Sequence, residues 1–374
     1  MSAVPRKKPQ ETAPTRNSQL RRGLGDPQIL IVVVALAILA GGLVGLNWLI
    51  VSGHATALPE SMLLRDPRDS WLHVSYRVGQ LKVTPPDRPA VYVLGGSATR
   101  ESFVGERSLA KAIAAGGGGD VVVHELASNN QEFGSDLAIV DNLPRTPAVV
   151  VIGVGMERFV HGPDATARQL SGRPLLVWSP ELKQALLDET GRGGRTFTLL
   201  PGIADYAVTW AHWRLHRLGL GKPVRIRFKQ HLYDRSMAYT DARKREQVTR
   251  WLEHRGGPGG QFFRVFPYNA SLLERAVALA TARGFTVMLV ENPLNTEIVG
   301  DSFDHMDKRY QPLCEDLALR YGAEYVDCLP QADLRSSDFR DLTHLLYPGQ
   351  VKYERELAAA LAPFTAQLAS TPDH

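Results

Sequence analysis

The alternation of apolar and polar stretches divides the chain into three unequal parts. Residues 1–28 are polar and charged, residues 29–51 form an unbroken apolar run (ILIVVVALAILAGGLVGLNWLIV), and the remainder mixes short apolar runs with amphipathic ones. About 23 residues rising 1.5 Å each are long enough to cross a hydrocarbon core of roughly 30 Å. Cleaved secretory signals have shorter apolar cores, about 7–15 residues. An uncleaved membrane helix is therefore the expectation, although Ala55-Thr56-Ala57 has the small-x-small form of a cleavage site. Trp48 falls near the far end of the run, where interfacial aromatics are enriched.

Residues 52–88 read as a stalk and lead-in segment, closed by Pro85, Pro86 and Pro89. A β/α alternation follows. Residues 91–94, 121–123 and 148–153 are short, β-branched, strand-sized runs, and helices are expected at about 101–115 and 135–143. Residues 161–265 break the pattern. This stretch holds Trp178, Trp210, Trp213 and Trp251 with many Arg and His, and reads as a mostly helical insertion with pieces at about 180–188, 204–218 and 239–254. The alternation then resumes with a helix over 269–283 stopped by Gly284, a strand at 285–290, a helix over 303–321 capped by Ser302 and stopped by Gly322, a strand at 324–326, and a last helix from Pro348 to about 361. Five short apolar strands separated by helices predict an α/β fold with a five-stranded parallel sheet covered on both faces. Ligands in such folds bind at the carboxyl ends of the strands, which is where chemistry is sought.

Charge changes the picture in one respect. The chain carries 43 Lys+Arg and 39 Asp+Glu, a net +4, yet the first 28 residues alone hold six basic and two acidic side chains, leaving 37 of each elsewhere. The high isoelectric point is a property of the tail, so a basic nucleic-acid-binding face is not expected. Basic residues before the apolar run place the N-terminus in the cytoplasm and everything after the span outside, on a single-pass protein of the inner (cytoplasmic) membrane. The two cysteines, Cys314 and Cys328, are either joined in that oxidising compartment or two buried thiols. Neither a CxxC nor a Cys/His cluster occurs, so no metal is expected, and no P-loop or GxGxxG suggests a nucleotide cofactor.

The first strand ends in Gly95-Gly96-Ser97-Ala98-Thr99-Arg100-Glu101. Two glycines turn the chain sharply, leaving Ser97 at a helix start where free N–H groups can stabilise an oxyanion. The alternative is an ordinary βα turn whose serine caps the helix. A serine nucleophile needs a base and an orienting acid. Of the 11 histidines only His344 has an aspartate three residues earlier, Asp341, on the loop between the fifth strand and the last helix. A surface cap for that helix is the competing explanation.

A glycine-framed serine after strand one and a DxxH before the last helix resemble the SGNH/GDSL hydrolase superfamily. The resemblance covers about 89–160 and 266–374 and implies a flavodoxin-like three-layer α/β/α fold with strand order 2-1-3-4-5. It implies Ser97 as nucleophile, His344 as base and Asp341 as its partner. In the family's second block Asn130, beside Asn129, matches the usual oxyanion Gly, with Gly96 completing the turn at the serine. The third block, normally GxND, reads Gly153-Val154-Gly155-Met156, so Gly155 stands where an Asn donor is expected. Asn292 resembles a fourth, variable segment lining the cleft. Arg100 and Arg158 lie near strand ends, where they either meet an anionic substrate or are paired surface arginines. With the membrane helix, the resemblance extends to anchored proteins that acylate envelope polymers, similar to alginate O-acetylation proteins and the D-alanyl transfer protein of teichoic acid synthesis. It implies a serine esterase or O-acyltransferase acting on an envelope or exported polysaccharide, with a multi-span membrane acyltransferase as partner. The alternatives are an esterase or lipase on small or lipid esters, and a non-catalytic scaffold for such an acyltransferase.

Overall fold

The computed structural model describes residues 27–57, 70–171, 235–257 and 259–370, with isolated positions at 176, 182, 184 and 218. Apart from those isolated positions, the expected helices at about 180–188 and 204–218 lie outside the described residues, as do Trp178, Trp210 and Trp213. The chain divides into two units at Leu49/Ile50. The first contains most of helix α1 (Pro27–Val51), in which the span 27–46 holds an 18-residue window with a mean hydropathy of 3.0 and no buried residue. It is long and apolar enough to cross a membrane.

The second unit is built on five parallel strands, β1 (Ala90–Leu94), β2 (Val122–Glu125), β3 (Ala148–Val154), β4 (Thr286–Glu291) and β5 (Glu324–Val326), in the order 2-1-3-4-5. The period-2 alternation of the strands sorts their side chains into two cores. Tyr92, Leu94, Val150, Ile152, Val287 and Leu289 face one side. There they meet helices α2 (Ser70–Val83), α5 (Phe133–Asn142), α8 (Gln261–Ala282) and α10 (Asp304–Tyr321). Val91, Val93, Val149, Val151, Met288 and Val290 face the other, against α4 (Glu106–Ala115) and α12 (Tyr347–Ser370). β1 and β3 are buried end to end and β4 from Val287 onward, which explains why they read as continuous apolar runs.

Several boundaries differ from expectation. Of the helix expected over 101–115 only 106–115 is helical, as α4 begins after Gly105 in an extended conformation, and a separate short helix, α3 (Ser97–Arg100), precedes it. Ser302 caps nothing: it lies inside a 3₁₀ turn (Gly300–Phe303) that runs directly into α10. Residues 70–83 of the presumed stalk form α2, whose Leu72, Val74, Tyr76, Val78 and Leu81 are buried. The helical period in that segment marked a packed element rather than a spacer. Cys314 and Cys328 are free thiols belonging to the cores on opposite faces of the sheet, so the sheet itself separates them. From the inserted stretch, the described residues supply α6 (Pro163–Ser171) and α7 (Asp241–Trp251), which runs into a π-helical turn at Leu252–Gly256. Lys244 of α7, only 1% exposed, donates to Ser336 O at 2.6 Å and Ser336 Oγ at 3.0 Å, tying α7 to the loop before α12.

Candidate active site

Strand order reverses direction between β1 and β3, and the crevice outside their carboxyl ends is where such sheets hold ligands. β1 is followed by Gly95, whose φ of 152° favours glycine, and a Cβ there would lie 2.1 Å from Thr99 Oγ1. Gly96 follows as N-cap of α3, with no side-chain cap of its own, and Ser97 occupies the first helical position. Ser97 is thus not the capping residue of an ordinary βα turn.

On the opposite rim, the loop before α12 closes on itself. Phe339 and Leu345 form an antiparallel bridge, Arg340 N–H donates to His344 O at 2.8 Å, and Leu346 N–H to Asp338 O at 2.7 Å. Within it, Asp341 Oδ1 accepts the backbone N–H of Thr343 and of His344, each at 3.0 Å. His344 Nδ1 lies 2.8 and 2.9 Å from the two Asp341 oxygens, and His344 Nε2 lies 2.9 Å from Ser97 Oγ. Residues 247 positions apart are joined in one hydrogen-bonded chain. This is the geometry by which a carboxylate holds an imidazole in the tautomer that accepts a proton from a serine.

Burial acts to raise the Asp341 pKa. The hydrogen bond and charge of His344, the Thr343 N–H and the Arg340 guanidinium outweigh it and hold the carboxyl well below the usual carboxylate range. Arg340 Nε lies 3.2 Å from Asp341, and its other end lies 3.5 Å from Glu101, which pairs with Arg100 at 2.7 Å. Arg100 is therefore the far end of a buried ion-pair chain behind the aspartate and does not line the cleft.

The cleft beside Ser97 has a volume of about 420 Å³. Its floor includes Gly96, Ser97, Asn130, Gln131, Met156 and Glu157, and its far wall is Gln247, Arg250, Trp251, His254 and Arg255. Positions 247, 250, 251 and 254 follow i, i+3, i+4, i+7, so a single helical face of the insertion forms the wall. That periodicity is legible in the sequence, but only the fold shows which surface the face covers.

The other expected residues are placed as follows. Asn130 lines the cleft with φ 49°, a left-handed conformation that glycine takes most easily and asparagine next. Asn129 does not line it; its N–H donates to Ser70 Oγ at 3.0 Å and its carbonyl accepts from Trp71 Nε1 at 2.7 Å. Gly155 is extended and presents no side-chain donor, and a Cβ there would meet Glu157 Oε2 at 2.6 Å. Asn292 is buried beneath the cleft, accepting from Thr99 Oγ1 at 2.8 Å and donating to Glu157 Oε1 at 2.7 Å, so it supports the floor rather than lining it. Arg158 borders the cleft but is 2% exposed, donating to Asp136 Oδ2 at 2.6 Å, Gly153 O at 2.5 Å and Gln131 O at 3.2 Å, with its guanidinium 4.2 Å above the Phe133 ring. Its charge is already neutralised, so it does not serve as a free anion contact. Sequence reasoning missed Trp71, Gln131, Asp136 and Lys244, whose roles depend on contacts far along the chain and leave no local pattern. Among the described residues, no group of three or more His, Cys, Asp or Glu side chains is arranged to hold a metal.

No protein-family model matches this chain, and no curated protein matches it.

Proposed function

We propose that the chain is a membrane-anchored, extracytoplasmic SGNH-like serine esterase or O-acyltransferase with a flavodoxin-like domain, acting on an envelope or exported polysaccharide. The observation that carries this reading is the Ser97–His344–Asp341 hydrogen-bonded chain opening into a cleft at the β1–β3 crevice. Strand order 2-1-3-4-5 agrees with the fold the resemblance implies, and the apolar N-terminal helix agrees with a tether to the inner membrane.

In the proposed reaction His344 Nε2 takes the Ser97 proton as Oγ attacks the ester carbonyl. The tetrahedral oxyanion is held by backbone N–H groups at the start of α3 and at Asn130. Collapse breaks the ester C–O bond, the departing alkoxide takes the proton from His344, and an acyl-serine remains. A second hydroxyl, from a sugar (transfer) or from water (hydrolysis), gives its proton to His344, attacks the acyl carbon and releases Ser97. The Asp341 carboxylate, held ionised at neutral pH, stabilises the imidazolium formed in each half. A tether suits a polymer or membrane-held acyl donor better than a diffusing ester, and a multi-span membrane acyltransferase is the natural supplier of such acyl groups.

The test is the full chain in detergent against a chromogenic acetyl ester, with Ser97→Ala beside it and an acetyl-accepting glycan in a parallel assay. Turnover that vanishes in Ser97→Ala supports the enzyme reading, and appearance of acetylated glycan selects transfer. Equal rates in both proteins reject it. A second reading, a non-catalytic scaffold for the acyltransferase, is favoured by one observation: Gly155 where a side-chain donor is expected. Ser97→Ala that retains full function in cells would select the scaffold.

A further inference from the structure

With no side-chain donor at Gly155, the oxyanion relies more on backbone N–H groups, whose direction is only as well defined as the peptide planes that carry them. The peptide between Asn129 and Asn130 is held with unusual thoroughness. Its carbonyl, Asn129 O, accepts from the indole Nε1 of Trp71 at 2.7 Å, and Trp71 stands on α2, outside the strand–loop unit that bears Ser97. In a trans peptide the N–H points opposite to the C=O. Capturing the carbonyl from the α2 side therefore turns the Asn130 N–H away from α2, and that N–H has no acceptor among the described residues. The two following carbonyls are captured as well, Asn130 O by Gln169 Nε2 and Gln131 O by Arg158 Nε at 3.2 Å.

Arg158 extends this restraint into the sheet. Its guanidinium binds the turn at Gln131 O, the end of β3 at Gly153 O and α5 at Asp136, whose other oxygen accepts from Gln131 Nε2 at 2.8 Å. Gln131 Oε1 accepts from Ser128 Oγ at 2.7 Å, and Ser128 N–H donates to Gly95 O at 3.0 Å, one residue before the Gly96–Ser97 turn. Left-handed backbone at a non-glycine residue is disfavoured, least for asparagine, and is held here by its surroundings. Burying an ion pair is also expensive unless its hydrogen bonds are complete. Both costs are concentrated on one turn beside Ser97.

We propose that Trp71 and Arg158 are positioning residues for the Asn130 peptide, aiming its N–H at the Ser97 oxyanion and so replacing the missing third-block donor; this rests on the esterase reading above. Neither touches the reacting atoms. Trp71 acts from the flank and Arg158 from beneath.

The test uses the full chain in detergent micelles with a chromogenic acetyl ester. Trp71→Phe keeps the aromatic surface and removes one N–H. The expected result is a fall in kcat of about tenfold or more, with KM within about twofold of wild type and an unchanged melting temperature. Arg158→Lys, which keeps the charge and loses the three-way fork, is expected to lower kcat in the same way. The double variant is expected to fall less than the product of the singles, because both act on one peptide. Wild-type kcat in Trp71→Phe, while Ser97→Ala abolishes turnover, overturns the inference and leaves the esterase reading standing. A loss in Trp71→Phe that appears in KM alone, or only in step with melting temperature, also overturns it. If Arg158→Lys does not fold, Trp71→Phe decides the matter. No serine-dependent turnover in the wild-type chain removes both the reading and the inference.

Discussion

His344 Nδ1 sits 2.8 and 2.9 Å from the two oxygens of Asp341, and the same carboxylate receives the backbone N–H of His344 itself. The aspartate therefore fixes both the ring and the backbone of its partner three residues on. A turn of this kind presents the imidazole with little freedom, and Ser97 meets its other nitrogen at 2.9 Å.

Removing either end of this chain is expected to abolish the proposed serine chemistry. Ser97→Ala and His344→Gln should each lower ester turnover by about 10³-fold or more, and Asp341→Asn by a comparable factor through loss of the correct tautomer. Steady-state kinetics on a chromogenic ester checks this, and undiminished rates in His344→Gln would remove His344 as the base.

Asp341 also predicts an acid limb of stability. Its folded pKa is depressed, so its contribution is fully present above the ordinary value of 3.8 and is lost as pH falls from there toward the folded value. Asp341→Asn should lower stability at neutral pH and flatten this limb. Urea midpoints measured between about pH 2.5 and 6 test the sign.

Glu291, at the carboxyl end of β4, has the opposite sign. Burial pushes its pKa well above the usual 4.5, against the hydrogen bonds donated by Tyr310 at 2.5 Å and Tyr325 at 2.8 Å. The folded state keeps a proton that the unfolded chain releases, so stability declines with a slope of up to about 1.4 kcal/mol per pH unit from 4.5 up to the folded pKa. Glu291→Gln should remove that slope and raise the melting temperature at pH 7–8; an unaltered pH profile would refute the assignment.

Gly153 tests the close packing beneath the cleft. A Cβ there would lie 2.1 Å from Thr99 Oγ1 and 2.6 Å from Asn292 Oδ1, both nearly fully buried. Gly153→Ala is expected to cost about 1–3 kcal/mol of stability and to lower kcat by displacing the turn that carries Ser97. Chemical denaturation and ester kinetics on the same preparation measure both, and a variant with wild-type values in each would show that the floor yields freely.

Lys244→Met should loosen the far wall of the cleft. The substitution removes two charge-assisted hydrogen bonds, to Ser336 O and Ser336 Oγ, while the carbonyl keeps the Phe339 N–H at 3.2 Å, a loss of about 1.5–3 kcal/mol. Protection of α7 amides in hydrogen exchange should fall more than protection of the sheet. Uniform protection in both would place the anchoring of α7 elsewhere.

Much of this architecture was readable from local pattern. Runs such as 148–153 are too short for helices and too β-branched for loops, and their spacing by amphipathic segments is enough to name a parallel α/β fold. The segment over 70–83 shows why some was not: its helical period is present, but nothing local distinguishes a packed helix from a lead-in. Arg100 and Arg158 show the same limit. Both sit near strand ends, and only their partners, Glu101 and Asp136, turn them from candidate substrate contacts into buried structural ions.

By itself the sequence determined the apolar N-terminal helix, the α/β class and the candidate triad, because each depends on residue types at short spacing: an unbroken apolar run, period-2 and period-3.6 alternation, a glycine-framed serine and an aspartate three residues before a histidine. Tertiary structure alone decided what surrounds that triad. The Trp71 indole on the Asn129 carbonyl, the Arg158–Asp136 pair under the Asn130 turn, and the wall formed by α7 join residues tens to hundreds of positions apart. Hydrogen-bond direction and charge neutralisation are set by which groups meet in space, and no short-range pattern in the chain encodes those meetings.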